Sequence, residues 1–537
     1  MRLKTWSSSK SKGVSNLGRT GCTRVVKAGL LLAGIAMVPF LSTEAKAQLD
    51  WPMFGQNIAN SGSNPLELLV NPLTVSHLKP KWKFTTGGDV SARAAVVGGV
   101  AYFPDWGGNL WAVNTQTGQK VWGHQLSDYG LVSPSYSRTT PAVVNGVLYL
   151  GSQQGAWLLA INAATGNLIW KTQLETVDPN AVVTTSPTVI AGLVFAGVAS
   201  TQEAIPGGAG PARGSMLAIN ALNGTILWKT YTTVPGYTGA GIWGSNPVVD
   251  ILRGTVYIGT GDNYSTPTDP NYISCVAGGG TAAACQSPDN HVDSILALNM
   301  FTGKIKWSQR MQSWNQPGVT NGSDYFNLSC LYGIPGCPSP TGPDYDYGSA
   351  PNEITYLSPT GLKTIIGAGQ KSGIYTAFDP DTGNIIWQTQ VGPGSSLGGM
   401  EWGSATDGLR IYVAVGNFYG IPTATGSGGS WAALDPATGK ILWQVADPNG
   451  AIDLGPMTVA GGVVFAPSMG GSPTSPNMIA LDAATGKTLW SFNSGASTIA
   501  GATVVNGTVF WGSGYTHLGI PGFTGSNTFY AFSLGGL

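Results

Sequence analysis

Residues Leu159–Trp170 read LAINAATGNLIW, and the fold follows from how this stretch is read. Apolar residues alternate on either side of Ala-Thr-Gly, which predicts two short strands joined by a tight turn. Gly166 is the turn residue able to take a positive φ. Asn162 opens the turn, where its side chain accepts backbone N–H groups. Trp170 ends the second strand with a ring large enough to fill a wedge between neighbouring sheets. The pattern recurs in Trp111–Trp122 (WAVNTQTGQKVW), Leu217–Trp228 (LAINALNGTILW) and Leu296–Trp307 (LALNMFTGKIKW). It recurs again in Thr376–Trp387 (TAFDPDTGNIIW), Ala432–Trp443 (AALDPATGKILW) and Ile479–Trp490 (IALDAATGKTLW).

A second pattern precedes most of these units: an apolar strand, Gly-Gly or Asn-Gly, and another apolar strand. Examples are AVVGGVAYF (95–103), AVVNGVLYL (142–150), TVAGGVVFA (458–466) and TVVNGTVFW (503–511). Each unit therefore holds four antiparallel strands, and a fixed repeat of this kind means an array or a ring. The C-terminal YAFSLGGL (530–537) supplies only the third strand of an eighth unit. Its missing strand and Trp stand near the start, in Pro80-Lys-Trp-Lys-Phe84. Pairing the two ends closes the ring and removes exposed sheet edges. The expectation is an all-β, eight-bladed propeller, with a seven-bladed ring as the alternative. Wide intervals between closing tryptophans place loop insertions at about 260–295 and 310–350.

Working outward, composition agrees. Of 537 residues, 10% are charged, and there are 78 Gly, 34 Pro and 18 Trp. Helical bundles and coiled coils need runs rich in Ala, Glu, Lys and Leu, so they are excluded. Disorder is excluded by the aromatic content. The N-terminus reads as a secretory signal peptide over 1–47. A basic region (Lys4, Lys10, Lys12, Arg19, Arg24, Lys27) precedes apolar Ala28–Leu41, which is short for a bilayer span, and Ala45-Lys-Ala47 precedes Gln48. An uncleaved anchor is the alternative. Residues 48–537 then form one propeller domain, periplasmic or secreted, with no membrane span after cleavage. Removing 1–47 takes away eight Lys/Arg and one Asp/Glu, leaving an acidic chain. Such a chain is unsuited to nucleic acid, which needs phosphate-neutralising basic patches. Cys22 lies in the signal. In an oxidising compartment the sequence-local pairs Cys275–Cys285 and Cys330–Cys337 are the natural disulfides among three possible pairings. No C-x-x-C-H occurs, so the chain attaches no c-type haem.

An A-x-D-x-x-T-G-x-x-x-W repeat in eight blades resembles the quinoprotein family, whose members bind pyrroloquinoline quinone (PQQ). The resemblance runs over nearly all of the mature chain. Outer-membrane assembly scaffolds share the repeat without a cofactor, so a protein-interaction scaffold is the rival reading. Trp51–Asn57 (WPMFGQN), Leu78–Val90 (LKPKWKFTTGGDV), Asp105–Leu110 (DWGGNL), Asp289–Leu298 (DNHVDSILAL) and Gln370–Asp379 (QKSGIYTAFD) look like its polyvinyl-alcohol-dehydrogenase-like branch. That branch oxidises secondary alcohols in polymers or related substrates.

PQQ is a flat, anionic quinone. Its site needs a planar floor, cations for its carboxylates, a divalent ion and a base. Trp243, in Gly241-Ile-Trp-Gly-Ser245, matches the family's stacking Trp and lies outside the repeat's closing position. Glu203 matches the glutamate ligand to Ca²⁺, upstream of Ala212-Arg-Gly-Ser215. The family's Asn ligand stands in G-T-G-N. Here Gly259-Thr-Gly-Asp-Asn-Tyr264 places Asp262 there, followed by Asn263. Oxygen ligands suit a hard cation. Pro343-Asp-Tyr-Asp-Tyr347 carries Asp344 and Asp346, one of which matches the family's catalytic base. Two residues apart on a strand, they would face the same side, and like charges so close would raise one pKa, which suits a base operating near neutrality. Both stay open as the base; the resemblance leans to Asp346, because Tyr-Gly-x-x-Pro follows it as in this branch. Arg138 is a candidate clamp for a cofactor carboxylate, Thr184 and Thr185 are candidate hydroxyl donors, and Lys371 matches the lysine that reaches the quinone oxygens.

The resemblance implies a Ca²⁺-polarised quinone that accepts hydride while the Asp takes the hydroxyl proton. Electrons then pass to an external acceptor such as a separate cytochrome c. One departure stands out: the Cys-Cys that often precedes the R-G-S strand is replaced by Gly210-Pro-Ala-Arg213. His77, His124, His291 and His517 are scattered and form no ligand pair. No nucleophile elbow, Walker loop or dinucleotide fingerprint stands between a strand and a helix.

Overall fold

In the computed structural model, the described residues are 50–205, 210–244, 246–281, 284–311, 343–472, 474–517 and 519–536. The expected signal peptide, Cys22, Cys330 and Cys337 lie outside them. The strand order within each sheet reproduces the repeat. Ala142–Val144, Val147–Gly151, Trp157–Asn162 and Leu168–Gln173 form one antiparallel sheet in sequence order. Sheets of the same order span 95–125, 188–231, 248–310, 352–390, 405–446 and 458–492. The eighth is made from both ends. Thr503–Val505, Thr508–Gly512 and Thr528–Leu534 are joined by Leu78–Thr85, which pairs antiparallel with 528–534. The result is an eight-bladed propeller whose ring closes on its own termini.

Each closing Trp docks on the next blade in the same way. The indole N–H of Trp122 donates to the carbonyl of Ala163, and that of Trp170 donates to Ala221. Trp228 reaches Met300, Trp307 reaches Pro380, Trp387 reaches Pro436 and Trp443 reaches Ala483. Trp82 and Trp490 complete the circuit, to Thr115 and Leu78. The acceptor is normally the residue after the Asn or Asp that opens the turn. The turn Gly is required twice over. Gly303 has φ +69°, and a Cβ there would stand 2.5 Å from the Trp228 ring. Asn299 Oδ1 pins the same turn by accepting the N–H groups of Phe301 and Thr302.

A one-residue bulge precedes the Trp in every blade: Leu168 pairs with Ile161, but Trp170 pairs with Ala160. The bulge re-aims the ring toward the neighbouring sheet. It also leaves the skipped residue at the rim, where Ile169, Leu227 and Ile386 are about half exposed.

The innermost strands are short and would present bare edges. Residues 51–64 cover them in order. Trp51 bridges Val96, Pro52 O accepts from Val143 N–H, and Ile58 O accepts from Val249. Ala59 O, Ser61 O and Gly62 O accept from Glu353, Thr406 and Val459. Ser63–Asn64 then adds a parallel strand to 458–460. Fully buried Arg93 ties this segment down, donating to Phe54 O (2.5 Å), Met457 O (2.9 Å) and Thr458 Oγ1 (2.8 Å).

The insertion at 260–293 carries a helix, Pro270–Ala277, N-capped by Asp269. The predicted disulfide Cys275–Cys285 is formed there. Among the described residues, no helix is long and apolar enough to cross a membrane.

Candidate functional site

Antiparallel order decides where chemistry can gather. In each blade the turn between the first two strands and the junction between the last two fall on one face of the ring. The loops joining strands two and three, and those leading to the next blade, fall on the other. Arg138, Thr184, Glu203, Trp243, Asp262, Asp344, Asp346 and Lys371 all lie in that second set of loops.

Four of them converge. Carboxylate oxygens of Asp262, Asp344 and Asp346 lie within 4.8 Å of one another, and all three residues are buried. Lys371 Nζ donates to Asp344 Oδ1 at 2.7 Å and lies 3.5 Å from Asp346 Oδ2. The same ammonium sits 5.0 Å from the centre of the Trp243 ring. Asp346 is held from two further directions. Its Oδ2 accepts the indole N–H of Trp243 at 2.7 Å, and its Oδ1 accepts the backbone N–H of Asp262 at 2.8 Å. Gly261 permits that approach, because a Cβ there would be 2.9 Å from both Asp346 oxygens. Gly348 likewise lets the 343–350 segment pass the Trp243 ring, which a Cβ would meet at 2.7 Å.

The charges are strongly coupled. Burial pushes the Asp344 carboxyl well above the usual range; Lys371 opposes this while Asp346 and Glu203 add to it. Burial works against the Lys371 ammonium, but Asp344 and Asp346 outweigh it and hold its pKa well above the ordinary lysine value. Glu203 sits in a short 3-10 turn, Thr201–Ala204, N-capped by Ser200. Burial, with Asp346 and Glu401 adding, raises it to about 7 against the opposing Lys371.

Some sequence expectations change. Asp344 and Asp346 share a side, but not through strand alternation: residues 343–348 are not a strand, and Asp344 has φ +58°. A left-handed non-glycine residue is strained backbone, of the kind that collects at functional sites. Asn263 does not join the cluster. Its amide donates to Thr238 O, and its Oδ1 accepts from Asn290. Thr185 is a structural clip, its hydroxyl donating to Gly197 O and accepting Gly197 N–H. Thr184 acts one step back, donating to the carbonyl of Trp243. Arg138 lies with its guanidinium 4.0 Å from the centre of the Trp402 ring.

Trp402 and Glu401 were missed. Trp402 meets Trp243 edge to face at 5.7 Å and pairs with Ser349 beside the acidic segment. Glu401 is buried, and its carboxyl is raised by burial against the pull of Lys371 and Arg138. The signal existed. Trp402 also stands outside the repeat's closing position, the criterion that selected Trp243.

The family model described as outer membrane protein assembly factor BamB matches residues 135–271, 370–500 and 427–532. A polyvinyl alcohol dehydrogenase from a Pseudomonas sp. is 30% identical over 518 residues, covering 89% of this chain and 74% of that protein. Another, from Sphingopyxis sp. (strain 113P3), is 29% identical over 493 residues, covering 83% and 69%. Among solved structures, the quinohemoprotein alcohol dehydrogenase of Comamonas testosteroni superposes with a TM-score of 0.67 at 19% identity. It covers 92% of this chain and 84% of its own.

Proposed function

Because the chain belongs to the quinoprotein family of alcohol and polyvinyl alcohol dehydrogenases, we propose that it oxidises secondary alcohols, polymeric ones included, with PQQ and Ca²⁺ in an exported compartment. Its general activity is that of the family, an alcohol oxidoreductase. The observation that carries the site reading is the meeting of Asp262, Asp344, Asp346 and Lys371 beside the Trp243 ring.

The residues present fit a flat quinone and a hard cation. Three buried carboxylates with one ammonium leave an excess of negative charge that a divalent ion would balance. Half-buried Trp243 offers an aromatic face, fixed at its backbone by Thr184 and at its N–H by Asp346. When bound, PQQ supplies the two-electron acceptor for the alcohol. Asp262, Asp346 and Glu203 are assigned to the cation. Asp344 is assigned as the base that takes the hydroxyl proton, reversing the order of preference drawn from the sequence. The reason is geometric: Trp243 and the Asp262 N–H already hold both oxygens of Asp346, whereas the Lys371 ammonium lies closer to Asp344 (2.7 Å) than to Asp346 (3.5 Å). Burial also tunes Asp344 upward, as a base requires. Lys371 and Arg138 are the cations for the quinone oxygens and carboxylates. Electrons leave to a separate acceptor of the cytochrome c type.

The test is reconstitution with PQQ and Ca²⁺, followed by dye reduction with secondary alcohols and polyvinyl alcohol. Asp344→Asn is expected to retain the PQQ absorbance after desalting while turnover falls roughly 10²–10⁴-fold, the worth of a general base. Asp346→Asn is expected to weaken Ca²⁺ retention as well. Failure of the wild type to hold PQQ would overturn the reading. Unchanged turnover in Asp344→Asn would overturn the assignment of the base.

A further inference from the structure

The loops that carry Glu203, Trp243 and Asp262 also line a second cavity, of about 370 Å³. Pro211 and Arg213 come from the first loop, Pro235 and Tyr237 from the second, and Thr268 from the third. The loop after the second blade supplies Glu175 and Val177. That size suits a small ligand or a short stretch of a longer one. All four loops lie on the face that carries the alcohol site, yet none of the residues assigned to the quinone, the cation or the base lines this cavity. The backbone of 238–240 ties the two together. Thr238 O accepts the Asn263 amide at 2.6 Å, and the Ala240 N–H donates to Asp262 O at 2.6 Å.

The insertion into the fourth blade shapes one wall. Asp269 caps the helix Pro270–Ala277 directly after Thr268, and the disulfide Cys275–Cys285 closes on that helix. Tyr272 meets Tyr237 edge to face at 6.3 Å, and Cys285 packs with the same pair. The Tyr237 hydroxyl accepts the Ser287 N–H at 2.9 Å. Gly236 permits the close approach, because its φ is +91° and a Cβ there would stand 2.9 Å from Asp269. The wall therefore packs on a small core of its own and keeps its shape without a ligand, which lowers the cost of binding one.

The polar groups of the lining are unequal in what they can still bind. Glu175 is buried and already occupied. Its Oε1 accepts the N–H groups of Thr176 and Val177, and its Oε2 pairs with Lys229 at 2.5 Å. Arg213 is held but not used up. Its guanidinium lies 4.1 Å from the centre of the Tyr231 ring, and Nε and Nη2 donate to Thr233. Among the described residues, its Nη1 has no acceptor. At the mouth, Val177, Pro211, Pro235 and Thr268 are exposed. Apolar edges beside a guanidinium and a hydroxyl suit a chain in which methylene and hydroxyl groups alternate. Its carbons lie on the valine and proline surfaces, and its hydroxyl oxygens accept from Arg213 and Thr268. An anionic ligand would meet a single cation beside the Glu175 carboxylate, a poorer match.

We propose that this cavity is a polymer subsite, holding a segment of an uncharged polyhydroxylated chain while another carbinol of the same chain reacts beside Trp243. The substrate class rests on the alcohol-dehydrogenase reading above. Only a chain long enough to span both places engages them together, so short alcohols gain nothing from the cavity. The experiment has two arms. In the first, the full chain without PQQ is titrated by calorimetry with short polyvinyl alcohol oligomers. Wild type is expected to bind them, and Thr268→Trp and Val177→Trp, which fill the mouth from two different loops, are expected not to. In the second, the PQQ-loaded chain is assayed with polyvinyl alcohol and with isopropanol. The polymer's KM is expected to rise roughly 3–10-fold in the filled variants and in Arg213→Met, about the worth of one hydrogen bond, with kcat and both isopropanol constants unchanged. No oligomer binding by wild type, binding that survives both fillings, or a KM shift equal for the two alcohols overturns the proposal. Binding lost on filling, in a wild type that turns over neither alcohol, upholds the subsite and overturns the alcohol-dehydrogenase reading instead. If one filled variant does not fold, the other and Arg213→Met decide.

Discussion

At the scale of single residues, the chain places charge where it has few charges to place. Lys371 is 5% exposed, and its ammonium answers two carboxylates at once. A buried cation of this kind is poor evidence for stability but good evidence for a role. Its position opposite Asp344 was not readable from Gln370-Lys-Ser-Gly373; only the resemblance singled it out. A second close pair, half-buried Glu353 and buried Asp250, lies outside the site. Glu353 sits beside Asp250, and burial followed by that neighbour raises its pKa from 4.5 to about 7, against the opposing charge of Arg253. The folded state therefore binds this proton more tightly than the unfolded chain. The contribution is fully present below pH about 4.5 and is lost as pH rises through about 7. Glu353→Gln is expected to melt higher than wild type at pH 8 and equally at pH 4. Equal midpoints at both pH values would show that folding does not raise the Glu353 pKa.

At the scale of elements, the repeat's conserved-looking grammar has a mechanical reading. The Asn or Asp pins the turn, the Gly clears room for the neighbour's ring, and the Trp both fills the wedge and donates to a carbonyl. Trp228→Phe keeps most of the buried area but leaves Met300 O without its donor. A loss of about 1–3 kcal/mol is expected, measured by chemical denaturation. Gly303→Ala is expected to cost more than an ordinary turn Gly→Ala change, because φ is +69° and the added methyl meets Trp228 at 2.5 Å. If both variants unfold with wild-type midpoints, the docking contact does not couple the blades. The hairpins were legible in the sequence because period-two alternation and Thr-Gly turns are local signals. The bulge before each Trp was not, since an extra residue in one strand shows only against its partner.

At the scale of the whole molecule, two devices hold the ring shut. One is the pairing of Leu78–Thr85 with Thr528–Leu534, which was readable because each end carries half a repeat. The other is the 51–64 segment, which supplies acceptors to successive inner strands. In the sequence WPMFGQN was a mark of resemblance only, with no mechanical meaning. Arg93 is its clasp, stacked at 5.2 Å on Trp51 and 5.0 Å on Phe54. Arg93→Met leaves Phe54 O, Met457 O and Thr458 Oγ1 short of a donor. A loss of about 3 kcal/mol is expected, with new proteolytic cleavage between residues 50 and 62. Wild-type resistance to protease in that variant would mean the segment is held without its clasp.

The amino-acid sequence alone determined the blade count, the strand order and the closure, because each rests on short-range periodicity repeated many times. The resemblance it carries marked Trp243, Asp262, Asp344, Asp346 and Lys371 as expected site residues. Only the tertiary structure decided which of them meet. Asp262 and Asn263 are adjacent in the chain, yet one joins the carboxylate cluster and the other bonds Asn290. Glu401 and Trp402 lie far along the chain from Trp243, yet they complete its surroundings. The physical reason is that a propeller gathers its site from loops of different blades. The contacts between those loops depend on how the sheets pack around the ring, and no local pattern records that.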